Sequence, residues 1–405
     1  MRIVLAPVGT RGDVEPLLAL SDVLRERGHE CVLAAPRSFA ATAEREGLAF
    51  VSLGPGFEEF ARGQHNEFQV LRAFQRRLRD QYDGLIAAAE GAHAIVGAML
   101  LLAGPSVARR KRVPWIYAGF SPHYLRSELM VPGGLPVRSL PRWALRAFNR
   151  LQRHAVPLFM QPWVAEERRL GFERPIDVWE HMTNGAELLL GYDEALLPTP
   201  LDAEGRLHRV GVMRRAATGG TLDADLSAFL DAGPAPAYIG FGSMSHLDPR
   251  RLTRLVLDGV GRAGVRAVVN AGWSGLSEDR LSDRVRIVRS APHDALFPRC
   301  MGVVHHGGAG TLHAAAIAGV PQAIVHHWAD QIHHGWRVES MGLGPAPTMI
   351  GRLSATWLAA ALCRFRDDAV MRVTAAELGT RMRQHVGGAE RAADVVERAI
   401  HAWER

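Results

Sequence analysis

Residues 302–331, GVVHHGGAGTLHAAAIAGVPQAIVHHWADQ, decide the fold. Gly302-Val303-Val304 closes a short apolar run of the kind found in a buried strand. His305 to Thr311 is a loop with three glycines and no bulky side chain after the histidines. Leu312 to Ala318 has the composition of a helix, which Gly319-Val320-Pro321 stops. Strand, glycine loop and helix together present free backbone N–H groups to an anion at the positive end of the helix. The glycines let phosphate oxygens approach the main chain. A second strand, Gln322 to Val325, leads to Asp330-Gln331. An acid and an amide then stand at the carboxyl end of a strand, where open α/β sheets bind ligands.

Working outward, the chain alternates strand and helix patterns throughout. Ile3 to Val8 is an apolar strand, followed by the loop Gly9-Thr10-Arg11-Gly12-Asp13-Val14-Glu15-Pro16. Leu17, Leu18, Leu20, Val23 and Leu24 recur at helical spacing, and Cys31 to Ala35 is the next strand. Further strands are expected at Ala49–Leu53, Ala94–Gly97, Pro114–Tyr117 and Leu188–Gly191, with long helices at Phe68–Glu90 and Arg142–Phe159. Gly119 to Pro141 is a long loop rich in proline and glycine, the kind that often binds a ligand. Leu196 to Thr221 is the expected connection between halves. The pattern then restarts: strand and glycine loop at Ala237–Met244, helix at Pro249–Arg262, strands at Arg266–Asn270 and Val285–Val288. The expected division is 1–205, 206–388, and a terminal helix, 389–405, that packs back across the cleft between two facing α/β halves.

At 405 residues, 47% hydrophobic and 22% charged, the chain suits two ordinary domains with no need of disulfides. Cys31, Cys300 and Cys363 are far apart and form no metal or redox spacing. The net charge of +6 is carried almost wholly by arginine, Lys111 being the one lysine. No nucleic-acid signature accompanies it. The first residues show no basic, apolar, small-residue leader, and no apolar run reaches the roughly 20 residues of a spanning helix, so a cytoplasmic protein is expected. Arg142, Arg146, Arg150 and Arg153 lie along one helix face. They read first as a solvated face and second as a weak contact with an anionic membrane.

Neither first strand is followed by the dinucleotide fingerprint, and no lysine follows a glycine loop. That argues against a dehydrogenase and an ATPase. A nucleotide-diphosphate donor held by backbone, hydroxyls and a histidine remains. His306, Thr311 and Ser243 can donate to its phosphates beside Gly308, Ala309 and Gly310. Asp13 reads either as a helix N-cap or as a general base at the cleft mouth. The histidine pairs 305/306, 326/327 and 333/334, with His313, match no zinc spacing, so no metal is expected.

On these motifs the chain resembles the natural-product and sterol branch of the family 1 nucleotide-sugar glycosyltransferases. The likeness is carried by Gly9–Pro16, Tyr238–Met244, Asn270–Leu276 and His305–Gln331. The resemblance implies the GT-B fold, an α/β architecture of two facing Rossmann-like domains with parallel sheets and an interdomain cleft. It implies an acceptor-binding first half and a donor-binding second half. Asp13 would be the base of a single inverting displacement, with Thr10 and Gly12 near the donor. Ser243, His306, Gly308, Ala309, Gly310 and Thr311 would hold the diphosphate, and Asp330 and Gln331 the sugar. Trp273 and Ala291 would lie at the nucleoside. No cofactor or metal is implied; a uridine or thymidine diphosphate hexose, with glucose expected, is the co-substrate. The acceptor would be a hydroxyl of a lipophilic polyketide, terpenoid, sterol or antibiotic aglycone. Departures are Ala314, where many relatives carry a ribose-binding Glu, Ser290 where plant relatives carry Trp, and His326-His327 in place of a proline-containing turn. Both of the first two leave the nucleoside open. Alternatives are a membrane-associated glycolipid transferase, a nucleotide-sugar epimerase of the same fold, and a silent sugar-nucleotide binding protein.

Overall fold

The computed structural model describes residues 1–56, 72, 74–98, 100–172, 177–215, 221–242, 248–270 and 283–405. Residues 68–71 and 73 of the expected 68–90 helix, Ser243, Trp273 and most of the Asn270–Leu276 motif lie outside them; a turn at Arg76-Arg77 breaks that expected helix, whose continuous part is Leu78–Ala88. Among the described residues thirteen strands form two sheets. The first holds β1 (Arg2–Ala6), β2 (Glu30–Ala35), β3 (Ala49–Ser52), β4 (Ala94–Gly97), β5 (Trp115–Gly119), β6 (Glu187–Leu190) and β7 (Arg206–His208). The second holds β8 (Ala237–Gly240), β9 (Ala267–Asn270), β10 (Val285–Val288), β11 (Gly302–His305), β12 (Gln322–His326) and β13 (Thr348–Met349).

Strand order is β3-β2-β1-β4-β5-β6-β7 in one and β10-β9-β8-β11-β12-β13 in the other, and neighbours pair in parallel. Leu5 lies opposite Leu33 on one side and Val96 on the other, and Val304 opposite Ile239 and Ala323. Each order reverses beside its first strand. Such switch points are where open parallel sheets bind ligands, because the loops leaving the two central strands diverge there. The reversals fall at the loops after β1 and β4, and after β8 and β11. The quoted glycine loops therefore sit where the topology opens a crevice.

The central strands are buried on both faces, which is why they read as apolar runs rather than alternations. Six helices matter for the site: α1 (Arg11–Glu26), α2 (Arg142–Phe159), α3 (Ala309–Ala318), α4 (Gln331–Ser340), α5 (Ala369–Arg383) and α6 (Gly388–Trp403). One apolar cluster runs through both halves, joining Tyr82, Trp115 and Trp163 to Leu312, Ile324, Val338 and Leu378. Helix α6 packs on α1, with Ala392, Val396 and Ile400 meeting the cluster of Leu17, Leu20 and Leu24. Val396 and Ile400 are essentially fully buried, which contributes about 3–6 kcal/mol together.

Two expectations need correcting. Arg206–His208 pairs with β6 in the first sheet, so the first half runs past 205 and the connection begins after β7. Three residues at a sheet edge, set in a proline- and glycine-rich stretch, carry too little periodicity to be read. Asp13 is not the N-cap of α1: Thr10 is, and Asp13 is the third helical residue.

Candidate active site

The loop after β1 holds the first carboxylate. Asp13 Oδ2 accepts the Thr10 backbone N–H at 2.8 Å and faces the Thr10 hydroxyl at 3.4 Å. This is a capping box with Asp in place of the usual Glu or Gln. Gly9 makes the turn at φ +141°, and a Cβ there would lie 2.2 Å from Asp13 Oδ2. Only glycine lets the carboxylate fold back. Gly12 is exposed and faces open space apart from Thr10. Pro16 lies inside α1, in its second turn. Asp13 keeps part of its surface open to the cleft, yet protein crowds it. Loss of hydration is the main force that raises its pKa to about 6; the Asp330 carboxylate adds to it and the Thr10 N–H opposes it.

The loop after β11 faces it from the second half. Gly308 is the N-cap of α3, and no side chain caps that end. The N–H groups of Ala309, Gly310 and Thr311 are the first of the helix and have no partner within it. Gly310 is exposed and Thr311 half-buried. The His306 ring lies between two glycines: a Cβ on Gly242 would come within 2.9 Å of it and one on Gly308 within 2.4 Å. Its Nδ1 is buried and has no hydrogen-bond partner among the described residues. Burial lowers the His306 pKa to about 4, against a pull upward from Asp330. At neutral pH the ring is therefore an uncharged donor, not a cation.

Two neighbouring histidines are committed to structure. His305 Nε2 meets Gln322 Oε1 at 2.9 Å, while its Nδ1 accepts the Gly307 N–H at 3.1 Å. His313 Nδ1 donates to the Ala309 carbonyl at 2.8 Å, and its Nε2 accepts the Asp193 N–H from the first half at 3.1 Å. Among the described residues no group of three or more His, Cys, Asp or Glu could hold a metal ion.

Past β12, Ala329 adopts a left-handed φ of 56°, unfavourable for a residue with a Cβ. Asp330 follows as the N-cap of α4. Its Oδ2 lies 3.4 Å from His334 Nε2. Gln331 is less free than the sequence reading implies. Its Oε1 accepts the His327 N–H at 2.8 Å, which leaves only its amide N–H groups for a ligand. Asp13 and Asp330 thus come from opposite halves and feel one another's charge.

Ala291 is half-buried between β10 and a short helix, beside the cluster of Leu296 and Phe297. Ala314 packs on the same cluster. Sequence reasoning flagged segment 119–141 as a loop but not that Ser121 meets His334. The pairing spans 213 residues for Ser121 and His334, and no local pattern reports it.

Two doubly wound parallel sheets, with functional loops meeting at their switch points, define the GT-B architecture. Residues 3–130 match the family model of the glycosyltransferase family 28 N-terminal domain. Residues 254–398 match that of the erythromycin biosynthesis protein CIII-like C-terminal domain. The vancomycin aglycone glucosyltransferase of Amycolatopsis orientalis is 33% identical, over 85% of this chain and 86% of that one. A sterol 3-beta-glucosyltransferase of Arabidopsis thaliana is 30% identical, over 91% of this chain and 61% of its own length. Among solved structures, the glycosyltransferase of kitacinnamycin matches with a TM-score of 0.75 at 20% identity, covering 98% of this chain and 99% of that one. The Streptomyces sp. SF2575 glycosyltransferase SsfS6, complexed with thymidine diphosphate, matches with a TM-score of 0.63 at 22% identity, covering 98% and 99%. The chain belongs to the family 1 glycosyltransferases, and it is a hexosyltransferase.

Proposed function

We propose that the protein transfers a hexose, glucose first, from a uridine or thymidine diphosphate sugar to a hydroxyl of a lipophilic small molecule, with inversion. The observation that carries this reading is the pairing across the cleft. A carboxylate with a pKa near 6 stands on one side, and an uncapped helix start with an unpartnered neutral histidine on the other.

In this reading Asp13 takes the acceptor hydroxyl proton as its oxygen forms a bond to the anomeric carbon. The bond from that carbon to the diphosphate breaks, and its electron pair leaves with the phosphate oxygen. The N–H groups of Ala309, Gly310 and Thr311, the Thr311 and Ser243 hydroxyls and the His306 ring receive that charge. Asp330 and the Gln331 amide group meet the sugar hydroxyls. Thr10 and Gly12 border the donor, and Trp273 and Ala291 the nucleoside. The relatives named for glucosyl transfer to an aglycone and to a sterol support the acceptor class. The thymidine diphosphate complex supports the donor class.

The test is an acceptor screen with uridine- and thymidine-diphosphate glucose, read by mass spectrometry, with the product anomer assigned by NMR. Transfer with a β-linked product is expected from the α-linked donors. Retention would refute the single displacement. Conversion of the donor to an isomeric sugar without acceptor would favour an epimerase.

One observation favours membrane contact as a second reading. Helix α2 leaves Trp143, Leu151, Leu158 and Phe159 exposed, at 72%, 66%, 61% and 69%. Arg142, Arg146, Arg150 and Arg153 run beside them, a pattern suited to an anionic lipid surface. Co-sedimentation with phosphatidylglycerol vesicles at low salt is expected, and its absence would remove this reading. No helix among the described residues is long and apolar enough to cross a membrane.

A further inference from the structure

The loop after β6, residues 191–197, belongs to the first half but docks on the second. Tyr192, Leu196 and Leu197 share one apolar cluster with Leu312, Ala316 and Ile317 of α3. Polar contacts fix the loop there. Asp193 Oδ1 accepts the Ala195 N–H at 2.8 Å, and its Oδ2 accepts the His385 Nδ1–H at 3.0 Å, just past α5. The Leu196 carbonyl accepts the Arg337 Nε–H, from α4, at 2.8 Å. The loop thereby holds the Asp193 backbone N–H against His313 Nε2 at 3.1 Å.

His313 is buried, and loss of hydration lowers its pKa to about 4, so at neutral pH the ring carries a single N–H. Nε2 accepts, which assigns that N–H to Nδ1, and Nδ1 donates to the Ala309 carbonyl at 2.8 Å. The Ala309 carbonyl and the Gly310 N–H are the two ends of one planar peptide unit. Fixing the carbonyl fixes the direction of the N–H, and a hydrogen bond to the carbonyl polarises that N–H towards an anion in front of it. The Gly310 N–H is among those at the start of α3 with no partner in the helix. A continuous line of hydrogen bonds therefore runs from the Asp193 N–H, through the imidazole, to the peptide at the helix start.

We propose that His313 is a positioning residue for the diphosphate site: its ring aims and polarises the Gly310 N–H, and the first half sets that ring through the Asp193 N–H. The inference rests on the reading of the α3 start as the group that meets the diphosphate. It adds that the first half, which supplies Asp13, also reaches the leaving group, from behind the helix that holds it.

The test compares His313→Asn with His313→Gln in the full chain. The asparagine amide nitrogen can stand where Nδ1 lies, which keeps the donor to Ala309. The glutamine amide oxygen can stand where Nε2 lies, which keeps the acceptor for Asp193. Affinity for uridine and thymidine diphosphate is read by calorimetry, kcat from transfer with the glucose donors, and folding from thermal melts. One lost neutral hydrogen bond predicts about 2- to 12-fold weaker diphosphate binding in His313→Gln. Its kcat should fall at least as far, because charge grows on the diphosphate as it leaves. His313→Asn should lie nearer wild type in both readouts, although it melts no higher than His313→Gln. A residue that only fills space and joins the halves gives the reverse order, since glutamine is the larger and keeps the contact between them. Glutamine equal to or better than asparagine in affinity and kcat would overturn the inference. If His306→Ala and Thr311→Ala leave diphosphate affinity unchanged, the reading of this loop as the diphosphate site fails. If they weaken it and the His313 variants rank the other way, only the positioning inference fails. Should either His313 variant not fold, hydrogen exchange on the unaltered chain reads the same line. Whichever diphosphate binds should slow exchange of the Asp193 amide, and no slowing would overturn the inference.

Discussion

Asp13→Asn should move turnover and stability in opposite directions. An ordinary aspartate titrates at 3.8, and Asp13 at about 6. That gap corresponds to about 3 kcal/mol. The folded state holds the proton more tightly than the unfolded chain. Below 3.8 both states are protonated and the site carries no penalty. As pH rises to about 6 the folded carboxyl is increasingly forced to ionise in poorly hydrated surroundings, and stability is lost. Above that the loss is complete. Asparagine removes the charge and can still accept the Thr10 N–H. It should therefore stabilise the protein by up to about 3 kcal/mol at pH 8 and by little at pH 4. Turnover should fall by roughly 10²–10⁴-fold, the span of a general base, while donor affinity holds. In the wild type, kcat/KM should rise about tenfold from pH 5 to a plateau above pH 7, because the base must be ionised. Thermal melts at pH 4, 6 and 8, with pH–rate profiles on the same preparations, check both halves. A flat rate profile down to pH 4.5, or an Asp13→Asn protein less stable than wild type at pH 8, would refute the reasoning.

Asp330→Asn removes the like charge that helps hold the Asp13 pKa up, so the rising limb of kcat/KM should move to lower pH; an unmoved limb counts against their coupling. Gly9→Ala should lower turnover sharply with donor binding retained, since its Cβ would displace the Asp13 carboxylate; comparing kcat with calorimetric donor affinity separates the two. His306→Ala should cost about 10²–10³-fold in kcat, as for a lost donor at a developing oxyanion, and the ratio of wild type to variant should be the same at pH 6 and 8 because the wild-type ring is already neutral there. Treatment with a chelator should leave activity intact; a large loss restored by a divalent ion would require a metal at the diphosphate.

The fold and the glycine loop after β11 were legible because they depend on local features. Apolar runs of four to six residues, glycines at fixed places and helical spacing after them are enough to place β1, β11, α1 and α3. The capping box at Thr10 and Asp13 was also legible, as a hydroxyl residue three before an acid, although the acid drew attention as a cap in its own right. β7 escaped because an edge strand of three residues has no measurable alternation. The use of Gln331 Oε1 by the His327 N–H was not legible, since it depends on the exact turn that Ala329 forces. The histidines near residues 305–334 look like a metal cluster in one dimension. In three dimensions His305, His313 and His334 face different partners, each fixed by a backbone group or a neighbour. Contacts such as Ser121 with His334 depend on how two separately folded sheets meet, and the sequence carries no period at that distance.

Helix α6 follows the second half in the chain but completes the hydrophobic core of the first. The two passages between the halves also touch: a Cβ on Gly388 would lie 2.2 Å from the Val212 carbonyl, and Arg391 donates to the Val210 carbonyl at 2.8 Å. The first half therefore takes its last core helix from beyond the second. A ribosome that has released the first 210 residues has not yet made the helix that seals Leu17, Leu20 and Leu24, so that face of α1 is covered only after the second half has been made. The arrangement ties completion of the first half's core to a helix that follows the second half in the chain.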